Sequence, residues 1–382
     1  MRHNGVTPYA DKPALINNNH KGRPKMQASE KVFDARVASF VNELEEIATD
    51  VANQPPVVDR HFVRLQQLIR NHANACLQYE STLTEEECKA ALPEFRAKIP
   101  NRLDECSIMS RALAKPRGFS GDHAMLTRLY DDEPQGTGIG GYLDLWCMNC
   151  DLTRAVRARM EAARQLVGKY LSSFSTGSTI RVLNVASGPC REYFVGLEYP
   201  RDRDVIVTCL DNDSEALSYV ENRAQEEKLH EQFVFEQYNA LRLKSGKRNI
   251  EKFGLQDLVY SIGLFDYIPD APLIAILEGL RETVKPGGTV YLAFKDELRY
   301  NKAEYQWFMN WFFFQRTEEE CRDLLVKAGF DTNWITAERD RTGIIINFTI
   351  LVPDNASQVR IDDAHETRRP QHADAAKKRA DI

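Results

Sequence analysis

The sequence predicts an α/β protein: a mostly parallel sheet covered by helices on both faces, ending in an antiparallel strand and preceded by an all-helical region. Two observations predict it. From residue 178 onward, apolar runs of strand length recur: TIRVLNVA, VIVTCLD, FVFEQY, DLVYSI, TVYLAFK and GIIINFTILV. Helical stretches separate them, SEALSYVENRAQEEKL, APLIAILEGLRETV and EEECRDLLVKAG among them. Strands that alternate with helices form parallel sheets whose crossovers bury both faces. Between Ser29 and about Tyr170, by contrast, apolar residues repeat at three and four, as in FDARVASFVNELEEIA and HFVRLQQLIRNHANACLQY, and no strand pattern intervenes.

The elements follow in order. A chain of 382 residues suits two domains with tails. Residues 1–28 are polar and read as a disordered leader. Residues 29–172 form the helical domain, a cap or substrate domain. Two segments interrupt it: Lys115–Asp122, KPRGFSGD, and the glycine-rich QGTGIGG of residues 135–141. A long helix over Asp151–Ser172 leads into the sheet domain, residues 178–353. There ITAERDRTG reads as a hairpin-type turn before the last strand, which predicts a closing antiparallel pair. Residues 354–382 are charged and alanine-rich and read as a fraying tail.

Composition narrows the function classes. The formal net charge is -6, with no long basic run before the C-terminus, which disfavours a nucleic-acid backbone as partner. No run of about 18 apolar residues predicts a membrane span. The first residues lack the apolar stretch of a secretory signal, and the eight cysteines are scattered, as suits a reducing cytoplasm. Cys147 and Cys150 form a C-x-x-C pair, but a structural zinc site wants a second such pair and the sequence has none.

The residues at the ends of the predicted strands carry the chemistry. The first strand runs into Asn184-Val-Ala-Ser-Gly-Pro-Cys-Arg-Glu192. A turn of small residues lets the backbone approach a ligand, although a plain tight turn has the same composition. The second strand ends in Leu210-Asp-Asn-Asp213. An acid about twenty residues past such a turn is placed to accept hydrogen bonds from ribose hydroxyls, while Asp213-Ser214 suits a helix cap. The third ends at Tyr238-Asn239-Ala240, where a short polar side chain can meet an adenine amino group or simply serve a turn. The fourth, DLVYSIGLFDY, brings Ser261, Gly263 and Tyr267 beside the first strand if the sheet order reverses there, and ligands bind at such switch points.

Order and spacing together resemble the class I S-adenosylmethionine (SAM)-dependent methyltransferase superfamily. VLNVASGP is similar to its first motif, LDNDSEAL to its second, and VKPGGTVYLAF to its fifth strand and preceding turn. The resemblance implies a Rossmann-like fold, an antiparallel last strand and SAM as cofactor. Two departures stand out: the first motif usually has an acid where Asn184 stands, and glycines where Ala186 and Cys190 stand. Over about residues 102–300, KPRGFSGDHAML, GGYLDLW, NVASGPCRE and SIGLFDYIPD also resemble bacterial 3-hydroxypalmitic acid methyl ester biosynthesis methyltransferases, which implies a fatty-acid carboxylate as acceptor.

The residues expected to hold the cofactor are Asn184, Ala186, Ser187 and Gly188, then Asp211 and Asn212, Asn239 and Ala240, Ser261 and Gly263. Arg157 and Arg159 point to different faces of the linking helix, so at most one reaches the cofactor or an acidic acceptor; Arg157 is the candidate. Tyr142 and Tyr267 are the catalytic candidates, since ring faces stabilise a sulfonium. Phe265 and Trp146 lie near them in sequence, with Trp146 read as core. His123 reads as a solvated loop histidine. The aromatic segment Glu297–Gln315 suits either an acceptor wall or a docking surface for the helical domain.

Methyl transfer needs alignment and exclusion of water. A carboxylate needs no general base at neutral pH, whereas amines and phenols usually do, and the sequence offers no compelling base. A small or lipid-like carboxylic acid is therefore the expected acceptor. Two alternatives stay open: transfer or cyclisation of the aminocarboxypropyl arm of SAM, and a non-catalytic SAM-binding interaction protein. A nicotinamide enzyme is disfavoured, because G-x-G-x-x-G is missing after the first strand.

Overall fold

Among the described residues, the chain folds into helices up to Ser172, and at Thr179 it becomes a sheet. The computed structural model describes residues 23–99 and 102–354. Helix α1 (Arg23–Asp50) starts inside the segment expected as a leader; the rest of that segment, and the tail past residue 354, lie outside the described residues. Asp59 caps α2 (Arg60–Glu80) by accepting from the His61 and Phe62 N–H groups, and Thr84 with Glu87 forms a capping box on α3 (Glu85–Lys98). Then come α4 (Arg102–Glu105), α5 (Ser107–Ala114), α6 (His123–Asp131), α7 (Gly138–Asn149) and α8 (Asp151–Ser172).

The glycine-rich stretch expected as a break instead opens α7. A Cβ on Gly140 would sit 2.4 Å from the Glu105 carbonyl oxygen, and one on Gly141 would sit 2.9 Å from that of Gly136. These glycines admit neighbouring backbone to the helix rather than end it.

The sheet has seven strands: β1 (Thr179–Val185), β2 (Asp204–Asp211), β3 (Phe233–Gln237), β4 (Gln256–Ser261), β5 (Val284–Lys295), β6 (Ile335–Arg339) and β7 (Ile345–Leu351). Their order is β3-β2-β1-β4-β5-β7-β6, and β7 runs antiparallel to both neighbours. Strand β6 differs from the sequence reading: Ile335–Arg339 pairs with β7, and only Asp340–Gly343 turns. The chain steps outward from β1 to β3 and returns to β4 on the other side of β1, which opens a crevice at the carboxyl ends of β1 and β4.

Helices α9 (Ser214–Glu226), α10 (Gly246–Phe253), α11 (Asp270–Thr283) and α13 (Glu318–Lys327) cover the sheet. Helix α8 belongs to two cores: Leu152, Ala155 and Val156 pack into the helical region, while Ala163, Val167 and Leu171 pack on the sheet. Helix α12 (Ala303–Met309) docks back onto the helical region, where Arg96 donates to the Gln306 and Trp307 carbonyls and Trp307 Nε1 donates to Glu80. Two rigid links thus hold the helices over the crevice. Among the described residues, no helix is long and apolar enough to cross a membrane.

Candidate active site

The turn after β1 is built from left-handed backbone. Ala186, Gly188 and Cys190 all have positive φ, at 56°, 51° and 50°. Asp211, at the end of β2, holds this turn: its Oδ2 accepts from the Gly188 N–H and its Oδ1 from the Asp213 N–H, both at 2.9 Å. A carboxylate oxygen has two acceptor sites, so each keeps one for a ligand hydroxyl. Burial raises the Asp211 carboxyl above its ordinary range. Ser187 donates its N–H to the Leu210 carbonyl, while its buried hydroxyl has no protein partner.

Asn184 turns away from the crevice into the layer beneath the turn. Its Nδ2 donates to Glu192 Oε1 and to Cys190 Sγ, each at 3.2 Å. Glu192 also accepts from the Tyr260 hydroxyl at 2.6 Å, and burial raises its carboxyl. Position 184, where the resemblance leads one to expect an acid, thus holds an amide bound to the Glu192 carboxylate, a pairing that only the curled turn makes visible. Ser261 is a further support: its hydroxyl donates to the Val185 carbonyl at 2.9 Å. Asn239 caps the turn that follows by accepting from the Leu241 N–H, with Ala240 half-buried beside it; Asn212 is exposed, and its carbonyl accepts from Gln237.

The segment Lys115–Asp122 lies over these strand ends. Arg117 ion-pairs with both Asp213 and Glu215, and Asp213 also caps α9 through the Glu215 N–H. His123 is no solvated loop residue: it opens α6, its side chain is 11% exposed, and its Nδ1 lies 3.4 Å from Asp213. A Cβ on Gly188 would meet Leu126 at 3.5 Å, so α6 rests on the turn.

Between α6, α8 and the strand ends lies a cavity of about 30 Å³. Leu126, Leu129 and Val156 form one wall; Tyr267, Trp311 and Phe313 form another. The Trp311 indole donates to the Tyr267 hydroxyl at 2.7 Å, and burial raises the Tyr267 phenol. Gly121 admits this pair, since a Cβ there would sit 2.9 Å from the Tyr267 oxygen. Within the segment Glu297–Gln315, Trp311 and Phe313 line the cavity, while α12 docks onto the helices as one of the two readings expected.

Charge enters the cavity from Arg159, not from Arg157. Arg157 donates to the Leu129 and Met148 carbonyls and pairs with Asp132, which ties α8 to its neighbours. Arg159 is 3% exposed, lines the cavity beside Gly263, and leaves its Nε and Nη1 without a partner. The sequence carries the signal for this choice. Leu152, Val156, Arg159, Ala163, Val167 and Leu171 recur at threes and fours on α8, so Arg159 occupies the buried stripe and Arg157 stands off it. Lys295, the last residue of β5, is the second cation; it is 4% exposed and ion-paired with the buried Asp266.

Tyr142 is not at this cavity. Its ring is fully buried in the helical core, and its hydroxyl donates to the α2 cap Asp59 at 3.0 Å. The close approach that Gly140 and Gly141 permit draws α7 into the bundle and takes Tyr142 with it.

A family model described as "Putative methyltransferase" matches residues 103–351, which takes in α5–α8 together with the sheet. No curated protein matches the chain. Among solved structures, a "possible exported protein" from Bordetella parapertussis is similar, with a TM-score of 0.52 at 18% identity, covering 85% of this chain and 98% of that one. The CurJ carbon methyltransferase gives a TM-score of 0.45 at 12% identity over 87% of this chain and 97% of that one. Magnesium protoporphyrin IX methyltransferase from Synechocystis, with SAM bound, gives 0.38 at 14% identity over 52% and 83%.

Proposed function

The chain belongs to this methyltransferase family, matched over residues 103–351, and from that membership we propose that it methylates the carboxylate of a small or lipid-like acid with SAM as donor. The observation that carries the cofactor half of the reading is Arg159, a buried guanidinium with two nitrogens unpartnered at the crevice where the sheet order reverses; the acid half rests on the second buried cation of the cavity, Lys295. The Arg159 side chain donates to the Tyr130 hydroxyl, and the buried donors that remain unpaired are costly in a folded protein unless a ligand completes them.

The residues fit SAM on three counts. Asp211 keeps acceptor capacity for ribose hydroxyls. The left-handed turn Ala186–Gly188 and the unpartnered Ser187 hydroxyl offer a close polar surface. Arg159 matches the methionine carboxylate, for which a guanidinium is the preferred partner. When bound, SAM supplies an electrophilic methyl group on a sulfonium. The chain's own residues bind, orient and exclude water: Leu126, Leu129 and Val156 keep the cavity apolar, and Tyr267 and Trp311 hold each other in place. A carboxylic acid is already ionised at neutral pH, so no side chain need remove its proton.

The test is mass spectrometry of reactions with SAM and a panel of acids, amines and phenols. We expect S-adenosylhomocysteine together with a methyl ester. Methylated amines or phenols without any ester would sink the acid reading, and release of methylthioadenosine would mean that the aminocarboxypropyl arm is the group transferred.

A further inference from the structure

We propose that Lys295 selects the acceptor, by holding its anionic group against the aromatic wall of the cavity. The proposal rests on the acid-methylating reading above and adds the residue that enforces it. Lys295 closes β5 where the strand meets the cavity. Its backbone N–H donates to Asp266 Oδ1 at 3.3 Å, and its ammonium pairs with Asp266 Oδ2, so one residue fixes both ends of the lysine. The ammonium lies 4.0 Å from the centre of the Phe313 ring and 5.8 Å from that of Tyr267. It has three N–H donors, and Asp266 takes one, which leaves donors for a ligand in the cavity that Lys295 lines.

Charge balance points the same way. The cavity holds two buried cations, Arg159 and Lys295, against one buried acid, Asp266. A sulfonium beside them adds positive charge. With Arg159 matched by the methionine carboxylate and Lys295 by Asp266, the sulfonium is the charge left over; an amine acceptor, cationic in water, adds to it, while a monoanion offsets it. The apolar body of that anion would lie against Trp311 and Phe313, which carry no charge. An apolar pair in place of Lys295 and Asp266 would serve the fold as well, because buried ion pairs bring little net stability. Selection of the ligand is the role that needs the charge.

Burial, with Arg159 close by and against the pull of Asp266, lowers the Lys295 pKa to about 8. The charged and titratable groups around it are Asp266 and Tyr267 after β4, Arg159 on α8, Tyr305 on α12 in the same cavity lining, and Tyr300 beside Asp266 and Tyr267. The ammonium is therefore present at pH 7 and lost as pH rises through about 8. Anion binding should weaken over the same range.

The experiment measures binding of hexanoate, hexanamide and hexylamine to the protein saturated with S-adenosylhomocysteine, by calorimetry. Wild type should bind hexanoate at least tenfold more tightly than hexanamide and reject hexylamine. Lys295→Met combined with Asp266→Asn, which leaves no unpaired buried acid, should lose the preference for hexanoate while S-adenosylhomocysteine binding stays within twofold; Lys295→Arg should keep the preference. In turnover with an acid acceptor, the double variant should raise KM far more than it lowers kcat. If that variant fails to fold, the wild-type pH series decides: hexanoate affinity should fall about tenfold per pH unit above 8, with hexanamide flat. A preference that persists in the double variant, or a flat hexanoate series, overturns the role of Lys295. Esters among the wild-type products alongside either result leave the acid reading standing and remove only Lys295. Products that are methylated amines or phenols alone remove both.

Discussion

The strand ends and the helical cap meet across one small cavity, and they are built in opposite ways. On the strand side most polar groups satisfy one another before any ligand arrives, the Ser187 hydroxyl excepted. Asp211 holds the N–H groups of Gly188 and Asp213, Ser261 holds the Val185 carbonyl, and Asn184 holds Glu192. On the cap side the surface is apolar, and its one arginine at the cavity, Arg159, has nitrogens left unpaired. The strand side is thus preorganised by its own backbone, whereas the cap side is completed by what binds. Loss of a strand-side group should disturb both the turn and the cofactor. Loss of a cap-side group should affect the ligand alone, and can even relieve the fold.

Asp211→Ala breaks the strand side and should have the largest effect. Charge-assisted hydrogen bonds are worth about 1.5–3 kcal/mol each, so loss of two to ribose predicts S-adenosylhomocysteine binding weakened more than a hundredfold. The same change leaves the Gly188 and Asp213 N–H groups unpaired, so melting temperature should fall too. Asp211→Asn keeps an acceptor for the turn and should restore much of the stability but little of the affinity. Calorimetry and thermal melts on both variants read the two effects apart. Equal affinity in wild type and Asp211→Ala would leave Asp211 a purely structural residue.

Glu304 sharpens the contrast from the cap side. It lies on α12, 8% exposed, and burial together with nearby Asp151, opposed by Arg70, raises its pKa to about 7. A raised carboxyl pKa contributes stability that is fully present below about pH 4.5 and is lost as pH climbs through 7. At pH 8 the buried carboxylate costs on the order of 3 kcal/mol, so Glu304→Gln should stabilise the protein at pH 8 and make little difference at pH 4. Denaturant melts at the two pH values check this. A variant less stable than wild type at pH 8 would show that the carboxylate has a partner that offsets its burial.

The same division decides what the sequence reveals. The strands β1 to β5 and β7 announce themselves as apolar runs, and Asp211 and Gly188 are readable because strand ends and tight turns are local. Strand β6 is half-exposed along most of its length, so ITAER carries little apolar signal and passes for a turn. Arg159 and Tyr142 depend on how distant helices pack. Which α8 arginine faces the cavity follows from the buried stripe that leads from Leu152 to Leu171, and once that stripe is traced Arg159 is legible after all. Tyr142 follows a helix seated by the contact of Gly140 with Glu105, thirty-five positions away in the chain, which no local pattern records. Glu192 is hidden for a similar reason: only the left-handed turn at Cys190 brings it back to Asn184.

The measurement that tests most directly whether strand ends and cap form one cofactor site is a comparison of two ligands on Arg159→Met. S-adenosylhomocysteine carries the methionine carboxylate; methylthioadenosine does not. Wild type should bind the first far more tightly. In the variant, S-adenosylhomocysteine should lose at least tenfold, since a charge-assisted pair is worth about 1.5–3 kcal/mol, while methylthioadenosine binding should stay unchanged. If instead both ligands bind the variant as they bind wild type, the cap gives nothing to the cofactor and Arg159 must serve another ligand.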